Sequence, residues 1–286
     1  MTLENLLRLL ALERLEEDLF RGSSYDMGYP QLFGGQVLGQ TLSAARQTIG
    51  QRPVHSLHGY FLRAGDAQRP VIYQVERLRD GGSFSARRVS AIQKGQIIFT
   101  GTLSFQQPES GFEHQPKMPD VPGPEGLPTY VELMQQWGDQ LPEGIRRRLG
   151  ERRAIEQRPV GMHNPFDPRQ QAPFQYIWVR ASGILPSDQP LHRCLLSYAS
   201  DFFLISTALL PHAISLWQPG TRMASLDHAL WFHRDVQMDD WLLYCLESPW
   251  AGQARGLARG HFFDRHGQLV ASVAQEGLIR QARPQP

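Results

Sequence analysis

The sequence lacks both a long apolar run and a strong net charge. Its most apolar stretch, residues 202–210, is interrupted by Ser206 and Thr207 and is far shorter than the roughly 20 residues that a membrane-spanning helix needs. Lys and Arg together number 29 against 28 Asp and Glu, and the interspersed signs leave a net charge of +1. Such a balance is untypical of nucleic-acid grooves and of polybasic membrane-binding surfaces. We therefore predict no nucleic-acid partner and no membrane association.

Cysteine is equally scarce. The chain has 2 cysteines, Cys194 and Cys245, and each lies in an apolar context with no second cysteine or histidine at metal-ligand spacing. Free cysteine is among the most frequently buried residue types, so we expect two reduced, buried thiols and no metal site.

The N-terminal segment has acidic side chains where a secretory signal would need an uncharged apolar region. These absences favour a cytoplasmic protein.

The chain also lacks two common functional motifs. No serine lies in a Gly-x-Ser-x-Gly pentapeptide, which excludes the nucleophile elbow of the α/β-hydrolase fold. Gly34, Gly35 and Gly39 are close together, but their spacing matches neither a Walker loop nor a dinucleotide fingerprint. Their small size instead permits close packing of a helix against a sheet. We expect no cofactor.

What the sequence does have is a succession of helical and strand-like patterns. Leucines near helical spacing predict an amphipathic helix at residues 2–20 with Thr2 as its N-cap, and residues 33–49 predict a second helix. Strand-like runs follow at 55–63, 71–79, 83–94 and 96–106, and turns containing glycine separate the last three. One helix followed by an antiparallel meander predicts an α+β unit in which the sheet wraps around the helix.

The composition changes after this unit, because eleven of the 21 prolines fall between residues 108 and 173. A continuous sheet does not tolerate that density, so we predict a linker with short helices at 130–140 and 144–151. The second half restarts with a strand at 174–181, an apolar helix at 191–210 and strands at 214–218, 223–234, 241–248, 254–264 and 268–280. We predict an N-terminal unit at 1–110, a proline-rich linker at 111–172 and a C-terminal unit at 173–286.

The two halves also resemble each other. Three pairs of segments are similar and follow in the same order along the chain, namely 56–63 with 226–234, 85–89 with 253–257, and 95–98 with 267–270. A single match between strand-rich segments arises easily by chance, but three matches in the same order argue for an internal duplication. The pairing of Gln36 with Asp201 in the two helices is the weakest of these correspondences.

Residues 225–234 combine polar and aromatic side chains and contain neither glycine nor proline, so they predict one unbroken strand. Alternation along a strand puts Ser225 and Asp227 on one face and Leu226 and His228 on the other. Because they point apart, Asp227 and His228 are not expected to act together as a dyad. The same strand is also predicted to place polar side chains next to large apolar side chains.

With these patterns in view, the chain resembles the acyl-CoA thioesterase II (TesB) family over nearly its whole length. The resemblance is carried by separated motifs in the family's order, at residues 33–40, 55–63, 83–89, 197–201, 226–234 and 273–277. It implies a double hotdog fold, which is an α+β chain of two helix-wrapped antiparallel sheet units. It also implies a homo-oligomer, either a homotetramer or a homodimer, with acyl-CoA as the substrate.

The family's catalytic group of an Asp, a Ser or Thr and a Gln falls on Asp201, Ser225 and Gln275. The resemblance implies that medium- to long-chain fatty acyl-CoA is hydrolysed to free fatty acid and CoA by direct attack of water. Asp201 would be the base, while Ser225 and Gln275 would orient the water. Asp201 lies in a mostly apolar predicted helix, and burial among aromatic residues raises the pKa of a carboxyl group and makes it a stronger base. Trp, Phe and Leu residues around this helix are expected to line an acyl tunnel.

Several alternatives stay open at this stage. His58 is a rival base, since histidine titrates near neutral pH. An enoyl-CoA hydratase would need a histidine a few residues from the aspartate, but the next histidine after Asp201 is His212. A non-enzymatic acyl-CoA binder is the rival from another class. Four arginines are either ligands of the CoA phosphates or part of a solvated strand face, namely Arg87, Arg88, Arg255 and Arg259.

Overall fold

The first helix is shorter than its leucine pattern predicts. A computed structural model describes residues 1–28, 31–141, 143, 146 and 153–281. In it, α1 (Leu3–Leu10) begins where the predicted cap, Thr2, accepts a hydrogen bond of 3.3 Å from the Asn5 N–H. The helix then ends, because the next residues form a hairpin of β1 (Glu13–Glu16) and β2 (Leu19–Gly22). Asp18 makes the hairpin turn with a left-handed φ of 57°.

The remaining strands follow the predicted order closely, except that β7 (Ile155–Pro159) lies in the segment predicted to be a linker with short helices and no strand. They are β3 (Val54–Phe61), β4 (Val71–Asp80), β5 (Phe84–Gln93), β6 (Gln96–Gln106), β7 (Ile155–Pro159), β8 (Phe174–Ala181), β9 (Thr221–Ser225), β10 (Asp227–Phe232), β11 (Leu242–Gly252), β12 (Arg255–Phe263) and β13 (Leu269–Gln281). The described residues form a 13-stranded antiparallel sheet in the order β1-β2-β4-β5-β6-β3-β10-β13-β12-β11-β8-β7, and β9 pairs with the end of β13. The predicted α+β class and the meander are therefore confirmed.

The sheet consists of two halves with the same connectivity. From its outer edge to the centre, the first half runs β2-β4-β5-β6-β3 and the second runs β8-β11-β12-β13-β10. The two halves join where β3 pairs with β10, with Leu57 opposite Leu230. This repetition agrees with the duplication inferred from the sequence, while the unit boundaries at 110 and 172 stay a prediction.

Two helices lie against the sheet and against each other, α2 (Gly34–Arg46) and α4 (Gln189–Ala199). A Cβ atom on Gly35 would lie 2.3 Å from the Tyr198 carbonyl oxygen, and one on Gly39 would lie 3.1 Å from that of Cys194. Rising numbers on α2 therefore match falling numbers on α4, so the helices are antiparallel. The glycines permit helix–helix contact rather than the predicted helix–sheet contact.

Four further predicted elements differ from the structure. The helix predicted at 191–210 ends at Ala199 and is followed by an irregular turn in which Phe203 adopts a left-handed φ of 61°. The chain then resumes as a 3₁₀ helix at Ile205–His212. The strand predicted at 214–218 is a series of turns. In the linker, α3 (Tyr130–Gln136) is followed by a 3₁₀ turn at Gly138–Gln140, and the helix predicted at 144–151 lies outside the described residues apart from Arg146.

The fourth difference is the strand predicted at 223–234, which is divided at Leu226 into β9 and β10. Ser225 pairs with Gly277, whereas Ala229 pairs with Ala274, so one additional residue lies on the β9–β10 side. Such a bulge reverses the faces on which later side chains lie. The predicted division of faces, with Ser225 opposite to His228, is therefore wrong.

One apolar cluster extends through both halves of the sheet, from Leu38 and Leu57 to Leu195 and Val273. Both cysteines are free and buried, as predicted, and burial raises the pKa of each thiol to about 12. Within the described ranges, every helix is too short or too polar to cross a membrane.

Candidate active site

The three predicted site residues lie together although they come from three separate elements. Asp201 follows the end of α4, Ser225 ends β9 and Gln275 lies within β13. The Gln275 Nε2 atom donates hydrogen bonds of 2.9 Å both to Asp201 Oδ1 and to Ser225 Oγ. One amide nitrogen thus joins the carboxylate and the hydroxyl group.

The bulge at Leu226 makes this arrangement possible. The Leu226 N–H donates to the Glu276 carbonyl oxygen at 2.9 Å, and the Glu276 N–H donates to Asp227 Oδ1 at 2.6 Å. Asp227 therefore replaces a backbone acceptor where the regular ladder is interrupted. Because of the additional residue, Ser225 and His228 both face the helix layer, in which Asp201 lies.

The second oxygen of Asp201 caps the helix of the other unit. The Gly35 N–H in the first turn of α2 donates to Asp201 Oδ2 at 2.9 Å. Phe33, which occupies the N-cap position, has no side-chain acceptor for the free N–H groups of the helix. A Cβ atom on Gly34 would lie 2.8 Å from Asp201 Oδ2, so a glycine is required for this approach. The positive end of the helix dipole thereby stabilises the carboxylate.

Opposing effects act on the Asp201 carboxyl group. Burial raises its pKa above the ordinary value, and the hydrogen bonds from Gln275 and Gly35 lower it, with burial the larger effect. A raised pKa makes the carboxylate a stronger base, as a general base near neutral pH requires.

An aromatic cluster encloses one side of Asp201. Phe33 stacks on Phe202 with ring centroids 4.8 Å apart, and Tyr198 contacts Phe33 edge-on at 5.2 Å. Because Tyr198 and Phe202 lie within three residues of Asp201, these rings pack beside the turn that carries the carboxylate.

A cleft of about 250 Å³ opens at the other side of the site, where Ser225 and Gly34 are part of its wall. Its apolar wall is contributed mainly by the first unit, through Leu32, Val37, Phe61, Ile98 and Phe99. A larger cavity of about 490 Å³ lies between the linker and the 3₁₀ helix that follows Asp201, with Phe203, Leu209, Leu210 and Trp217 in its wall.

The rival base, His58, lies apart from these residues. It pairs with Ala229, and the neighbours of Ala229 on both sides are buried, so His58 projects from the opposite face of the sheet. There its ring packs edge-on against Trp231 with centroids 5.0 Å apart. Burial lowers the pKa of His58. This position favours a structural role.

Each of the four arginines proposed for phosphate binding is paired with a carboxylate. The pairs are Arg87 with Asp80, Arg88 with Glu76, Arg255 with Glu276, and Arg259 with Glu247. Arg87 is moreover 2% exposed, so it stabilises the end of its hairpin. The alternative of a solvated strand face is therefore favoured for Arg88, Arg255 and Arg259, whereas the buried Arg87 fits neither alternative. In the part of the chain that the structure describes, no group of three or more metal-ligating side chains is present.

Sequence reasoning missed two contributors to the site. The Gly35 N–H had one signal, the apolar residue Phe33 at a helix start where Ser, Thr, Asp or Asn is usual. His228 had none, because its orientation depends on the bulge. It is buried, and its Nε2 lies 2.9 Å from Ser200 Oγ, next to Asp201.

Known proteins with similar sequences align with nearly the whole length of this chain. It is 45% identical over 279 residues to acyl-CoA thioesterase 2 of Haemophilus influenzae, covering 97% of this chain and 98% of the relative. The chain belongs to the acyl-CoA thioesterase II family. The human relative named acyl-coenzyme A thioesterase 8 is 44% identical, with 97% of this chain and 89% of the relative covered.

Two further comparisons agree with membership of the acyl-CoA thioesterase II family. Residues 147–278 match the acyl-CoA thioesterase profile, and residues 23–106 match that of the acyl-CoA thioesterase N-terminal domain. An acyl-CoA thioesterase II from Mycobacterium marinum has a similar structure, with a TM-score of 0.80, 40% identity and coverage of 99% of this chain and 100% of that chain. A hot dog fold protein from Alicyclobacillus acidocaldarius, with a TM-score of 0.76 over 98% of this chain and 99% of that chain at 20% identity, shares the fold. The double hotdog fold is thus confirmed.

Proposed function

We propose that this protein hydrolyses medium- to long-chain fatty acyl-CoA to free fatty acid and CoA by direct attack of water. Asp201 accepts a proton from the water while the water oxygen bonds to the thioester carbonyl carbon. The carbon–sulfur bond then breaks, and the CoA thiolate leaves and is protonated. The observation that carries the proposal is the Gln275 amide nitrogen, 2.9 Å from both Asp201 Oδ1 and Ser225 Oγ.

The bonding of Ser225 supports a water nucleophile over a serine nucleophile. A serine nucleophile needs an adjacent base that takes its proton. Ser225 Oγ instead accepts a hydrogen bond from the Gln275 amide, which is a donor. Its own O–H is therefore available to orient a water whose proton points to Asp201.

The cleft beside Ser225 supports an acyl chain as the group next to the thioester. Burying each methylene group in an apolar wall contributes about 0.8 kcal/mol, so affinity should increase with chain length until the cleft is filled. We assign the chain to this cleft rather than to the larger cavity beyond Phe203, because Ser225 itself lines the cleft. The sequence instead predicts a tunnel lined by residues around the helix at 191–210 that carries Asp201.

The test is hydrolysis of a panel of acyl-CoA substrates from butyryl to palmitoyl, with a thiol reagent detecting free CoA. We expect activity with octanoyl-CoA and longer chains, and loss of at least about 100-fold in Asp201→Asn. Asp167→Asn, the same change at an exposed ion pair with Arg169, is the control. Full activity of Asp201→Asn would refute the assignment. Incubation with crotonyl-CoA, with the enoyl absorbance followed, tests for hydration instead.

A cytoplasmic location and a homotetrameric or homodimeric assembly belong to the same proposal. The assembly rests on the family resemblance, and the location rests on the composition of the chain. Light scattering on the purified protein measures the assembly, and a monomer would contradict it.

A further inference from the structure

Ser200, the residue directly before Asp201, has hydrogen bonds at every polar atom. Its N–H donates to the Leu196 carbonyl oxygen at 2.8 Å, and its Oγ donates to that of Ser197 at 2.9 Å. Its own carbonyl oxygen accepts from the Tyr244 hydroxyl group at 2.7 Å. Its Oγ also lies 2.9 Å from His228 Nε2. Ser200 is fully buried, so these bonds are shielded from water.

These bonds determine the role of His228. Because the Ser200 hydroxyl already gives its proton to Ser197, it accepts from His228, whose Nε2 therefore carries the hydrogen. Burial lowers the pKa of His228 to about 3, so the imidazole is neutral near pH 7. A neutral imidazole that donates to a hydroxyl group holds a position and does not carry the reaction's proton.

The location of His228 couples the two halves of the site. It lies in β10, three residues after Ser225 and beyond the bulge, while its partner Ser200 adjoins Asp201. The turn after Ser200 contains the left-handed Phe203 and forms no regular helix, so tertiary contacts must hold it. The His228–Ser200 bond thus ties the strand that carries Ser225 to the turn that carries Asp201.

A second observation indicates that stability alone does not explain this histidine. Among the residues that the structure describes, His228 Nδ1 is buried without a hydrogen-bond partner. Leaving a buried polar atom unpaired costs about 1 to 3 kcal/mol. An apolar residue would avoid that cost, so the Nε2–H donor is the feature that the histidine adds.

We infer that His228 is a positioning residue of the acyl-CoA hydrolysis, which through Ser200 holds the Asp201 carboxylate at its place relative to Ser225. The inference rests on the proposed function. Displacing a reacting group by about 1 Å lowers rates by about 100-fold. Loss of this bond should therefore lower kcat and leave substrate binding in the cleft nearly unchanged.

The test compares variants of the full-length chain with octanoyl-CoA. His228→Leu removes the donor, and we expect kcat to fall by about 10- to 100-fold with KM within about twofold. His228→Gln retains an amide donor and should restore most of kcat. The control is His233→Leu, because His233 also bonds to a serine, Ser272, but on an exposed part of the same region.

Ser200→Ala removes the acceptor of the same bond and keeps the test decisive if His228→Leu does not fold. It should lower kcat by a similar factor. The double variant, His228→Leu with Ser200→Ala, should lose no more kcat than either single variant, because all three variants remove the same His228–Ser200 bond. Unchanged kcat in folded His228→Leu or Ser200→Ala, or an increase in KM alone, would overturn the inference. Failure of the wild-type protein to hydrolyse any acyl-CoA would instead refute the proposed function.

Discussion

The two hotdog units have the same order of strands, yet the three side chains that we propose to be catalytic all lie in the second. Counted from the left-handed turn residues Gly95 and Gly267, the eighth residue is Leu103 in β6 and Gln275 in β13. Leu103 is fully buried in the apolar core, whereas Gln275, equally buried, binds Asp201 and Ser225. The first unit contributes the Gly35 N–H and most of the cleft wall. Duplication thus allowed one copy to hold the polar group and the other to enclose it.

The two ends of the antiparallel helix pair differ in the same way. At one end Asp201 accepts from the first turn of α2, partly buried and beside the site. At the other end Asp188, the N-cap of α4, forms an exposed ion pair of 3.9 Å with Arg46. Both carboxylates lie at a helix N-terminus, where the helix dipole favours a negative charge. Asp201 is in addition buried, and this burial raises its pKa. Burial, rather than position at a helix end, distinguishes the proposed base from a surface carboxylate.

The change with the largest expected effect makes the second unit like the first. Gln275→Leu removes the nitrogen that joins Asp201 to Ser225, so kcat with octanoyl-CoA should fall by about 100-fold or more. The reciprocal change, Leu103→Gln, buries an unpaired amide and should cost about 1 to 3 kcal/mol in the free energy of unfolding without adding activity. Retention of more than about a tenth of kcat in folded Gln275→Leu would contradict the role of Gln275.

The second prediction separates the two aspartates by stability as well as by rate. Because burial raises the pKa of Asp201 in the folded state, its contribution to stability is present below the unfolded pKa and is lost as pH rises through the folded pKa. At pH 7, which is above the unfolded pKa, the raised folded pKa therefore makes the fold less stable than an unshifted carboxyl group would, so Asp201→Asn should lose activity yet be at least as stable as the wild type. Asp188→Asn should change little.

Urea unfolding of both variants at pH 7 and pH 4 measures this difference. The advantage of Asp201→Asn over the wild type should decrease at the lower pH, where the wild-type carboxyl group is more protonated. An Asn variant that is less stable than the wild type at pH 7, and gains relative to it at pH 4, would reverse the assigned sign.

The third prediction tests the close contact of the two helices. Gly35→Ala places a Cβ atom 2.3 Å from the Tyr198 carbonyl oxygen, so the helices must separate. We expect about 1 to 3 kcal/mol lower stability and about 10-fold lower kcat, since the Gly35 N–H moves away from Asp201. Gly82→Ala, where nothing lies within 4 Å of the added atom, is the matched control. Equal effects of the two variants would argue against a role for helix contact.

The smallest effect concerns the cleft. Phe61→Ala enlarges the wall that the first unit contributes, so the ratio of kcat/KM for dodecanoyl-CoA to that for octanoyl-CoA should increase a few-fold. Leu209→Ala enlarges the larger cavity instead and should leave the ratio unchanged if the acyl chain occupies the cleft. An increased ratio in Leu209→Ala with an unchanged ratio in Phe61→Ala would instead assign the acyl chain to the larger cavity.

Much of the architecture was predictable from short-range patterns. Alternation and turn residues located β4, β5 and β6 within one residue or two, because one face of each strand is buried and the turns need Gly or Asp. The same patterns were misleading at two places. The apolar pattern continues past Ala199, where the helix ends, and the alternating pattern continues through Leu226, where the strand is divided in two. Pairing Gln36 with Asp201 was also wrong, because Gln36 lies at the start of its helix and Asp201 beyond the end of its own.

Local composition and order therefore determined the strand succession, the repeated unit and the buried thiols. Through the family resemblance, they also indicated Asp201, Ser225 and Gln275 as the candidate catalytic residues. Tertiary structure alone decided that these three side chains meet, because their meeting depends on a bulge and on an antiparallel helix crossing. Both are responses to packing between segments as far apart as Gly35 and Asp201, whose sequence separation is 166 residues. No pattern within one segment encodes such a contact, since its free energy comes from burying both segments together.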